Sequence, residues 1–198
     1  SKNFKPVSQL KKYEKGGAKG LSVLTEEKFF QGSKQILTKV RKNTDLPILR
    51  KDFIIVPIQL YQSKLMKADV ILLIAAILNK EKIESYLQIA NKIGLEAIVE
   101  VHNLKELKEV ISTSAKIIGI NNRNLKDFSI DLNTTTELVN FLLDKNIRDN
   151  YYIISESGIK SKTDIKFLKN ANIDGVLIGE TLMKAESPSK MIKEFISY

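Results

Sequence analysis

The sequence predicts an α/β fold built on a parallel sheet, and three observations lead to that prediction. Short apolar runs rich in β-branched residues recur along the 198 residues, and segments with helical periodicity lie between them. A strand and a helix together take about 25 residues, which is typical of right-handed crossovers between parallel strands. No linker, composition shift or low-complexity tract interrupts this pattern, so we expect one domain over residues 1–198.

Several of the apolar runs qualify as strands. In order they are GLSVLT (20–25), PILRKDF (47–53), VILLIAAI (70–77), EAIVEVH (96–102), IIGINNR (117–123), YYIISES (151–157) and GVLIGET (175–181). Their number approaches the eight strands of a TIM (β/α)8 barrel, a fold of typically about 250 residues. A doubly wound open sheet is the competing architecture, but the G-x-G-x-x-G or P-loop turn that usually marks it is absent. We therefore predict a (β/α)8-type barrel.

The helical segments are marked by apolar residues three and four positions apart. In LKELKEVIST (104–113), Leu104, Leu107 and Ile111 fall on one face, and Gly94 is placed to end the helix before it. The other clear segments are PVSQLKKYEKGG (6–17), KEKIESYLQIANKI (80–93) and DLNTTTELVNFLLDK (131–145). Because the first helix has no strand before it, a complete barrel requires one strand in addition to the seven.

Composition excludes several classes of function. The chain has no cysteine, and His102 is its single histidine, so a disulfide framework, a thiolate metal site and a histidine-rich metal centre are all excluded. The longest apolar run, VILLIAAIL (70–78), is far shorter than the roughly 20 residues of a membrane span. The N-terminus shows no secretory signal pattern, and we expect a cytoplasmic protein without membrane contacts.

The net charge of +9 is compatible with an anionic partner. The lysines, however, are spread over the amphipathic segments, and there is no arginine-rich tract or basic patch interleaved with aromatic residues. We therefore do not expect nucleic-acid binding. Attraction of a small phosphorylated substrate explains the charge equally well, and the sequence leaves the oligomeric state open.

Polar side chains follow several strands at the ends where barrel enzymes carry their chemistry. Side chains alternate between faces along a strand. Each of three strand ends therefore places two residues on one face: Lys51 with Phe53, Glu100 with His102, and Asn121 with Arg123. If these faces point inward, the polar groups meet at the mouth of the barrel. Periodicity does not decide which face is inward. The alternative is that Lys51–Glu100 and Arg50–Asp52 are structural ion pairs.

Motifs along the whole chain resemble one enzyme family. They occur in the order SVLTEEKFFQGS, LPILRKDFII, ADVILLIAAIL, LEAIVEVHN, IIGINNRNL, ISESGI and DGVLIGETLM. Together they resemble indole-3-glycerol-phosphate synthase, the ring-closing decarboxylase of tryptophan biosynthesis. DGVLIGE alone would suit many phosphate-binding barrels, whereas L-R-K-D-F followed by V-E-V-H and N-N-R-N-L is highly specific.

The resemblance implies a lyase that converts 1-(o-carboxyphenylamino)-1-deoxyribulose 5-phosphate into indole-3-glycerol phosphate, carbon dioxide and water. It implies no metal or organic cofactor, because the substrate itself supplies the electron flow. One alternative is another phosphate-binding barrel of the same pathway, such as phosphoribosylanthranilate isomerase or the tryptophan synthase α subunit. Those proteins should lack the lysine and glutamate pair. The other alternative is a non-catalytic, truncated barrel.

The resemblance also implies roles for individual residues. Lys51 matches a lysine that stabilises and protonates the substrate carbonyl oxygen, and Glu100 matches a carboxylate that relays protons as water is eliminated. A glutamate that only orients Lys51 is the alternative for Glu100. Asn121 matches a catalytic amide that positions the substrate, and Arg123 a cation near the substrate carboxylate.

Two further groups of residues follow from the same resemblance. Phe53 matches part of the wall that holds the anthranilate ring, and Phe30 either joins that wall or is an ordinary core residue. The phosphate is expected at the loops after the last two strands. That prediction covers the residues Glu156, Ser157, Gly158, Gly179 and Glu180, the last through its backbone N–H only. Plain turn geometry is the alternative explanation for the two glycines.

One family motif is absent from these 198 residues. The resemblance implies a first strand with the motif E-x-K-x-x-S-P-S, whose glutamate and lysine also serve catalysis, whereas this sequence begins Ser1-Lys2-Asn3-Phe4. We therefore expect a barrel whose first strand and N-terminal extension are absent from this chain. A protein that lacked them altogether would have two unprotected strand edges, and we expect it to be inactive and prone to associate.

Overall fold

Strands and helices alternate along the chain in a computed structural model that describes residues 5–28 and 30–197. The strands are β1 (Leu21–Leu24), β2 (Ile48–Lys51), β3 (Val70–Ile74), β4 (Glu96–Val101), β5 (Ile117–Asn121), β6 (Tyr152–Glu156) and β7 (Gly175–Leu177). The helices are α1 (Pro6–Gly16), α2 (Lys34–Arg41), α3 (Ile58–Leu65), α4 (Lys80–Lys92), α5 (Leu104–Val110), α6 (Asn133–Asp144), α7 (Lys162–Asn170), α8 (Glu180–Lys184) and α9 (Pro188–Ile196). All seven predicted strands are confirmed. The first four residues, Ser1 to Phe4, lie outside the described part.

Local sequence explains where most helices begin and end. The side chains of Asn79 and Asn103 accept hydrogen bonds from the backbone of the first turns of α4 and α5, as N-cap residues do. Gly94 ends α4 as predicted, with a φ of 67°. Helix α5 is shorter than the predicted segment 104–113. The hydroxyls of Ser112 and Thr113 donate to the carbonyls of Glu109 and Val110, and such bonds compete with the helix backbone.

The strands form one parallel sheet whose order follows the chain from β1 to β7. Lys51 Nζ at the end of β2 lies 3.4 Å from Glu156 Oε2 at the end of β6. In a flat sheet, four strand spacings would separate these strands by about 19 Å. The sheet is therefore strongly curled in the manner of a TIM barrel, and its strand order differs from that of doubly wound sheets. No helix in residues 5–28 or 30–197 is long and apolar enough to cross a membrane.

The burial pattern shows which face of the sheet is inward. The inner face holds a small apolar cluster that includes Leu49, Leu72 and Ile98. The outer face packs against the helices through the alternating residues, such as Ile71, Val99 and Ile118. Lys51 follows Leu49 by two residues and Glu100 follows Ile98 by two, so both side chains point inward. This settles the question that periodicity left open.

The sheet is open between β7 and β1 in the described part of the chain, while the helix layer is closed. The inward positions Ser22 and Leu24 of β1 are exposed, although Val23 between them is buried against helices. On the outside, α1 packs against α9 so closely that a Cβ on Gly16 would lie 2.8 Å from Ile192 Cβ. The helices therefore hold the two edges of the curled sheet in place.

Arg50 faces the helix layer and is only 1% exposed. Its guanidinium donates to Asp52 at 2.7 Å, to Thr25 Oγ1 at 3.0 Å, to the carbonyl of Gln59 at 3.0 Å and to Ser63 Oγ at 2.9 Å. A buried guanidinium is stable only when its donors are paired in this way. Arg50 and Asp52 are therefore a structural ion pair, one of the alternatives raised by the sequence, and they fix the turn after β2.

At the opposite ends of the strands, two aspartates take equivalent positions. Asp69, just before β3, accepts the backbone N–H of Ile48 at 2.8 Å. Asp174, just before β7, accepts the N–H of Ile153 at 2.7 Å and a hydrogen bond from Arg148 at 2.7 Å. Charge-assisted bonds of this kind are stronger than neutral ones. They fix the starts of β2 and β6, the two strands whose far ends carry Lys51 and Glu156.

Candidate active site

The centre of the site is an ammonium group between two carboxylates. Lys51 Nζ lies 3.3 Å from Glu100 Oε2 and 3.4 Å from Glu156 Oε2. These residues come from the ends of β2, β4 and β6, and alternate strands of a barrel contribute side chains to the same interior layer. Glu100 and Glu156 are buried, and the Lys51 side chain is 23% exposed. The ammonium therefore faces the open mouth, with its counter-charges behind it.

Asn121 lies beside this cluster at the end of β5. It pairs in register with Glu156, and its side chain hydrogen-bonds to the carboxylate of Glu100. Its Oδ1 accepts the backbone N–H of Arg123 at 3.0 Å. The structure therefore brings Lys51, Glu100 and Asn121 together as the sequence predicted.

Glu156 reaches the cluster because residue 119 is a glycine. Gly119 lies in register between Glu100 on β4 and Ile154 on β6, and a Cβ there would lie 2.3 Å from Glu156 Oε1. Glu156 is one of the residues predicted to bind the phosphate, but its side chain contacts Lys51 instead. Residue 156 is an inward position of β6, so its carboxylate is directed at Lys51, and an anionic group there would repel a phosphate.

His102 is a residue of the site to which the sequence analysis gave no role. Its Nε2 lies 3.2 Å from Glu100 Oε1, and its Nδ1 lies 3.1 Å from Glu106 Oε2. Glu106 also accepts the backbone N–H of His102 at 2.8 Å. Two features of the sequence could have indicated a role for His102. Glu106 follows it by four residues, across the start of α5, and His102 shares a face of its strand with Glu100. In residues 5–28 and 30–197, no group of His, Asp and Glu side chains is arranged to hold a metal ion.

Burial and charge give these groups different proton affinities. Burial opposes ionisation of Glu100, but His102 and Lys51 outweigh it and lower the pKa of Glu100 to about 2. Burial raises the pKa of Glu156 to about 7, with Lys51 opposing and Glu100 adding to the effect. Burial disfavours the Lys51 ammonium, but Glu156 and Glu100 outweigh it and raise its pKa. At neutral pH the site therefore contains an ammonium, an ionised Glu100 and a Glu156 carboxyl that exchanges its proton readily.

Two aromatic rings stand at the rim of the site. The rings of Phe30 and Phe53 are stacked, with centroids 5.5 Å apart and an interplanar angle of 27°. Phe30 is 43% exposed, so it is not an ordinary core residue. Phe53 is two residues beyond Lys51 on the same inward face. The pair forms a partly exposed apolar surface beyond the end of the strand that carries Lys51.

Arg123 forms an ion pair with the first residue of α8. Its Nη2 is 3.5 Å from Glu180 Oε2, and both side chains are partly or largely exposed. Glu180 also accepts a hydrogen bond from Lys184 at 2.6 Å. The arginine is therefore paired with a residue that follows β7, because its backbone has already left β5.

The loop after β6 has a backbone conformation that favours glycine. Ser157 and Gly158 have φ angles of 66° and 82°, and a Cβ on Gly158 would lie 2.4 Å from Ile130. Asn122 Nδ2 donates to the carbonyls of Glu156 at 2.9 Å and Ser157 at 3.2 Å. The loop is therefore fixed by the end of β5. By contrast, a Cβ on Gly179, just before α8, would meet nothing within 4 Å, so there is open space at that position.

A protein-family model of indole-3-glycerol phosphate synthase matches the chain over residues 1–195. The chain belongs to the indole-3-glycerol phosphate synthase family. This confirms the resemblance seen in the motifs and makes the chain a carboxy-lyase of tryptophan biosynthesis.

Relatives in this family include indole-3-glycerol phosphate synthases of two bacteria. The protein of Petrotoga mobilis is 56% identical over 194 residues, which are 98% of this chain and 77% of the relative. The protein of Trichodesmium erythraeum is 45% identical over 196 residues, 98% of this chain and 66% of the relative. The chain therefore spans about two thirds to three quarters of the length of these synthases.

A solved structure supports the fold alone. Thiamine phosphate pyrophosphorylase from Pyrococcus furiosus superposes with a TM-score of 0.73 at 18% identity, over 96% of this chain and 87% of that one. At this identity the likeness concerns the arrangement of strands and helices and not the chemistry.

Proposed function

We propose that this synthase chain closes the indole ring with Lys51 as general acid, acting on 1-(o-carboxyphenylamino)-1-deoxyribulose 5-phosphate. The observation that carries the proposal is the position of the Lys51 ammonium, held 3.3 Å from Glu100 and 3.4 Å from Glu156 at the open mouth. We would not expect a barrel of the same pathway with another activity to combine an ammonium and two carboxylates with a stacked pair of phenylalanines.

The chemistry requires a cation at the ribulose carbonyl. The aromatic carbon that bears the carboxylate attacks that carbonyl carbon, and negative charge develops on the oxygen. Lys51 stabilises the charge and supplies the proton, an effect of about 10² to 10⁴-fold for general acids. Loss of carbon dioxide then returns the electron pair to the ring. The hydroxyl formed from the carbonyl leaves as water, and a proton is removed from the neighbouring methylene carbon, so that the double bond of the new ring forms.

Glu100 is the group we assign to that proton removal. With a pKa of about 2 it is in the accepting, ionised form throughout the neutral range. Glu156, with a pKa of about 7, is suited to return protons to Lys51 between turnovers. The alternative that Glu100 only orients Lys51 makes a different prediction, since decarboxylation and dehydration would then slow together.

The remaining groups hold the substrate. Phe53 and Phe30 provide the wall for the anthranilate ring, and Asn121 positions the substrate beside Glu100. Arg123 binds the anthranilate carboxylate, for which it must exchange its present partner Glu180. Guanidinium–carboxylate contacts of this kind are often bidentate.

The phosphate is proposed to bind where the loops after β6 and β7 face each other. Backbone N–H groups of Ser157, Gly158, Gly179 and Glu180 are the candidate donors, because glycine lets an anion approach the backbone closely. The Glu156 side chain, which is directed at Lys51, is no longer part of this set.

The assay is direct. The native protein is incubated with the anthranilate-derived substrate, and indole fluorescence and carbon dioxide are measured together. We expect the indole product and carbon dioxide to form in equal amounts. If the protein instead isomerises phosphoribosylanthranilate, or releases neither product, the assignment is wrong.

A further inference from the structure

Two buried carboxyls share one ammonium in this site, and a third group distinguishes them. We propose that His102 is the positioning residue that keeps Glu100, rather than Glu156, in the ionised form. The inference deepens the proposed function, because it explains why one carboxyl is free to accept a proton while the other carries one.

The contacts of the two carboxyls are unequal. Glu100 has a cation at each oxygen, with His102 Nε2 3.2 Å from Oε1 and Lys51 Nζ 3.3 Å from Oε2. Among residues 5–28 and 30–197, Lys51 at Oε2 is the one cation paired with Glu156. In the described part of the chain its Oε1 is buried without a hydrogen-bond partner, against the backbone of Gly119. Since like charges at short range resist ionising together, the better-compensated carboxyl keeps the charge.

His102 is itself held in the charged form. Glu106 from α5 faces its Nδ1 and Glu100 from β4 faces its Nε2; behind Glu100 lie Lys51 from β2 and Glu156 from β6. Burial opposes the charge, but the two glutamates that contact it outweigh burial and raise the pKa of His102 to about 9. The contact between His102 Nε2 and Glu100 Oε1 is an ion pair at 3.2 Å, so loss of the positive charge of the ring changes the proton affinity of Glu100.

Without this cation, the two carboxyls become more alike in proton affinity. Both are buried, both lie within 3.4 Å of Lys51, and the proton that now belongs to Glu156 would be shared between them. Glu100 would then spend part of its time protonated near neutral pH, and a protonated carboxyl cannot act as a base. The shared proton would titrate as a property of the pair.

The test compares His102→Gln and Glu106→Gln with the matched control Glu109→Gln, an exposed glutamate on the same helix. The carboxyl carbons of Glu100 and Glu156 are followed by ¹³C NMR between pH 3 and 9. Because His102 is the only histidine in the sequence, its ring signals need no assignment.

In the unchanged protein and the control, we expect Glu100 to titrate far below Glu156 and the imidazole to stay protonated past pH 8. In His102→Gln, Glu100 should titrate higher by about two pH units, and Glu156 lower. The kcat profile should gain an acidic limb that the control lacks. In Glu106→Gln, which keeps the ring, the imidazole should titrate at lower pH and the same changes should appear as it loses its proton.

Unchanged titrations of Glu100 and Glu156 in folded His102→Gln would overturn the inference, as would an imidazole in the unchanged protein that titrates at its ordinary value. The NMR titrations of the carboxyls and the imidazole can be measured whether or not the protein turns over substrate. An inactive protein with the expected titrations would refute the proposed function alone, and an active one with unchanged titrations would refute the role of His102 alone.

Discussion

Glu156 Oε1 lies so close to Gly119 that a Cβ at residue 119 would be 2.3 Å from it. The missing side chain on β5 is thus what allows a second carboxylate to reach Lys51 from β6. A site with one carboxylate and one ammonium would be an ordinary ion pair. With two carboxylates of unequal proton affinity around the ammonium, protons can be supplied and removed in the same pocket.

Gly119→Ala tests this relationship. The added methyl group would meet Glu156 Oε1 and Ile98 Cγ2, at 2.3 and 2.9 Å, so Glu156 must move away from Lys51. We expect a loss of stability of about 1 to 3 kcal/mol from overpacking and a marked fall in kcat. Gly175→Ala is the control, because a Cβ there meets nothing within 4 Å. Unfolding by urea and steady-state kinetics check both variants; wild-type kcat in Gly119→Ala would contradict the role of Glu156.

Glu100→Gln separates the two roles considered for Glu100. If this carboxylate removes the proton during loss of water, carbon dioxide should still be released in a single turnover while indole formation falls by about 10² to 10⁴-fold. If Glu100 only orients Lys51, both signals should fall together. Glu96→Gln, at the exposed start of the same strand, serves as the control and should behave as wild type.

Asp52→Ala tests the buried ion pair beneath the site. The variant leaves the guanidinium of Arg50, 1% exposed, without its carboxylate. Breaking a buried pair in this way typically costs about 3 to 5 kcal/mol. Asp45→Ala, at an exposed position of the preceding loop, should change the free energy of unfolding little. Equal stabilities of the two variants in urea would show that the pair is not structural.

The charge on His102 predicts how stability depends on pH. Its pKa is raised from 6.5 to about 9, so its contribution to stability is fully present below pH 6.5 and is lost as pH rises through 9. Glu156, raised from 4.5 to about 7, adds a decline that ends near pH 7. The free energy of unfolding should therefore fall between pH 7 and 9 in the unchanged protein. In His102→Gln it should be nearly constant over that range, and an equal decline would refute a charged histidine.

The fold was largely predictable because its signals are local. Seven apolar runs, helical periodicity and the position of Gly94 gave all the strands and the end of α4. The architecture needed more: periodicity could not say which face of β2 turns inward, since Lys51 and Arg50 are both charged. Only the packing of Leu49 against the other inward residues decides it.

The site was predictable in part, for a related reason. Motifs identified Lys51, Glu100 and Asn121, which the structure places together. The direction of Glu156 depended on the absent side chain of Gly119 on the neighbouring strand β5, and the partner of Arg123 depended on a residue far along the chain. Long-range contacts of this kind leave no periodic trace in the sequence, so neither contact could be predicted from it.

Lys51→Met is the decisive test of the general-acid role proposed for Lys51. The variant removes the ammonium and keeps a side chain of similar length, while Lys92→Met at the exposed end of α4 removes a charge away from the site. Turnover and the affinity for the phosphorylated product are measured for both variants. We expect Lys51→Met to lose about 10² to 10⁴-fold in kcat, while its affinity for the product stays within a few-fold of that of Lys92→Met. Retained turnover in Lys51→Met would contradict that role.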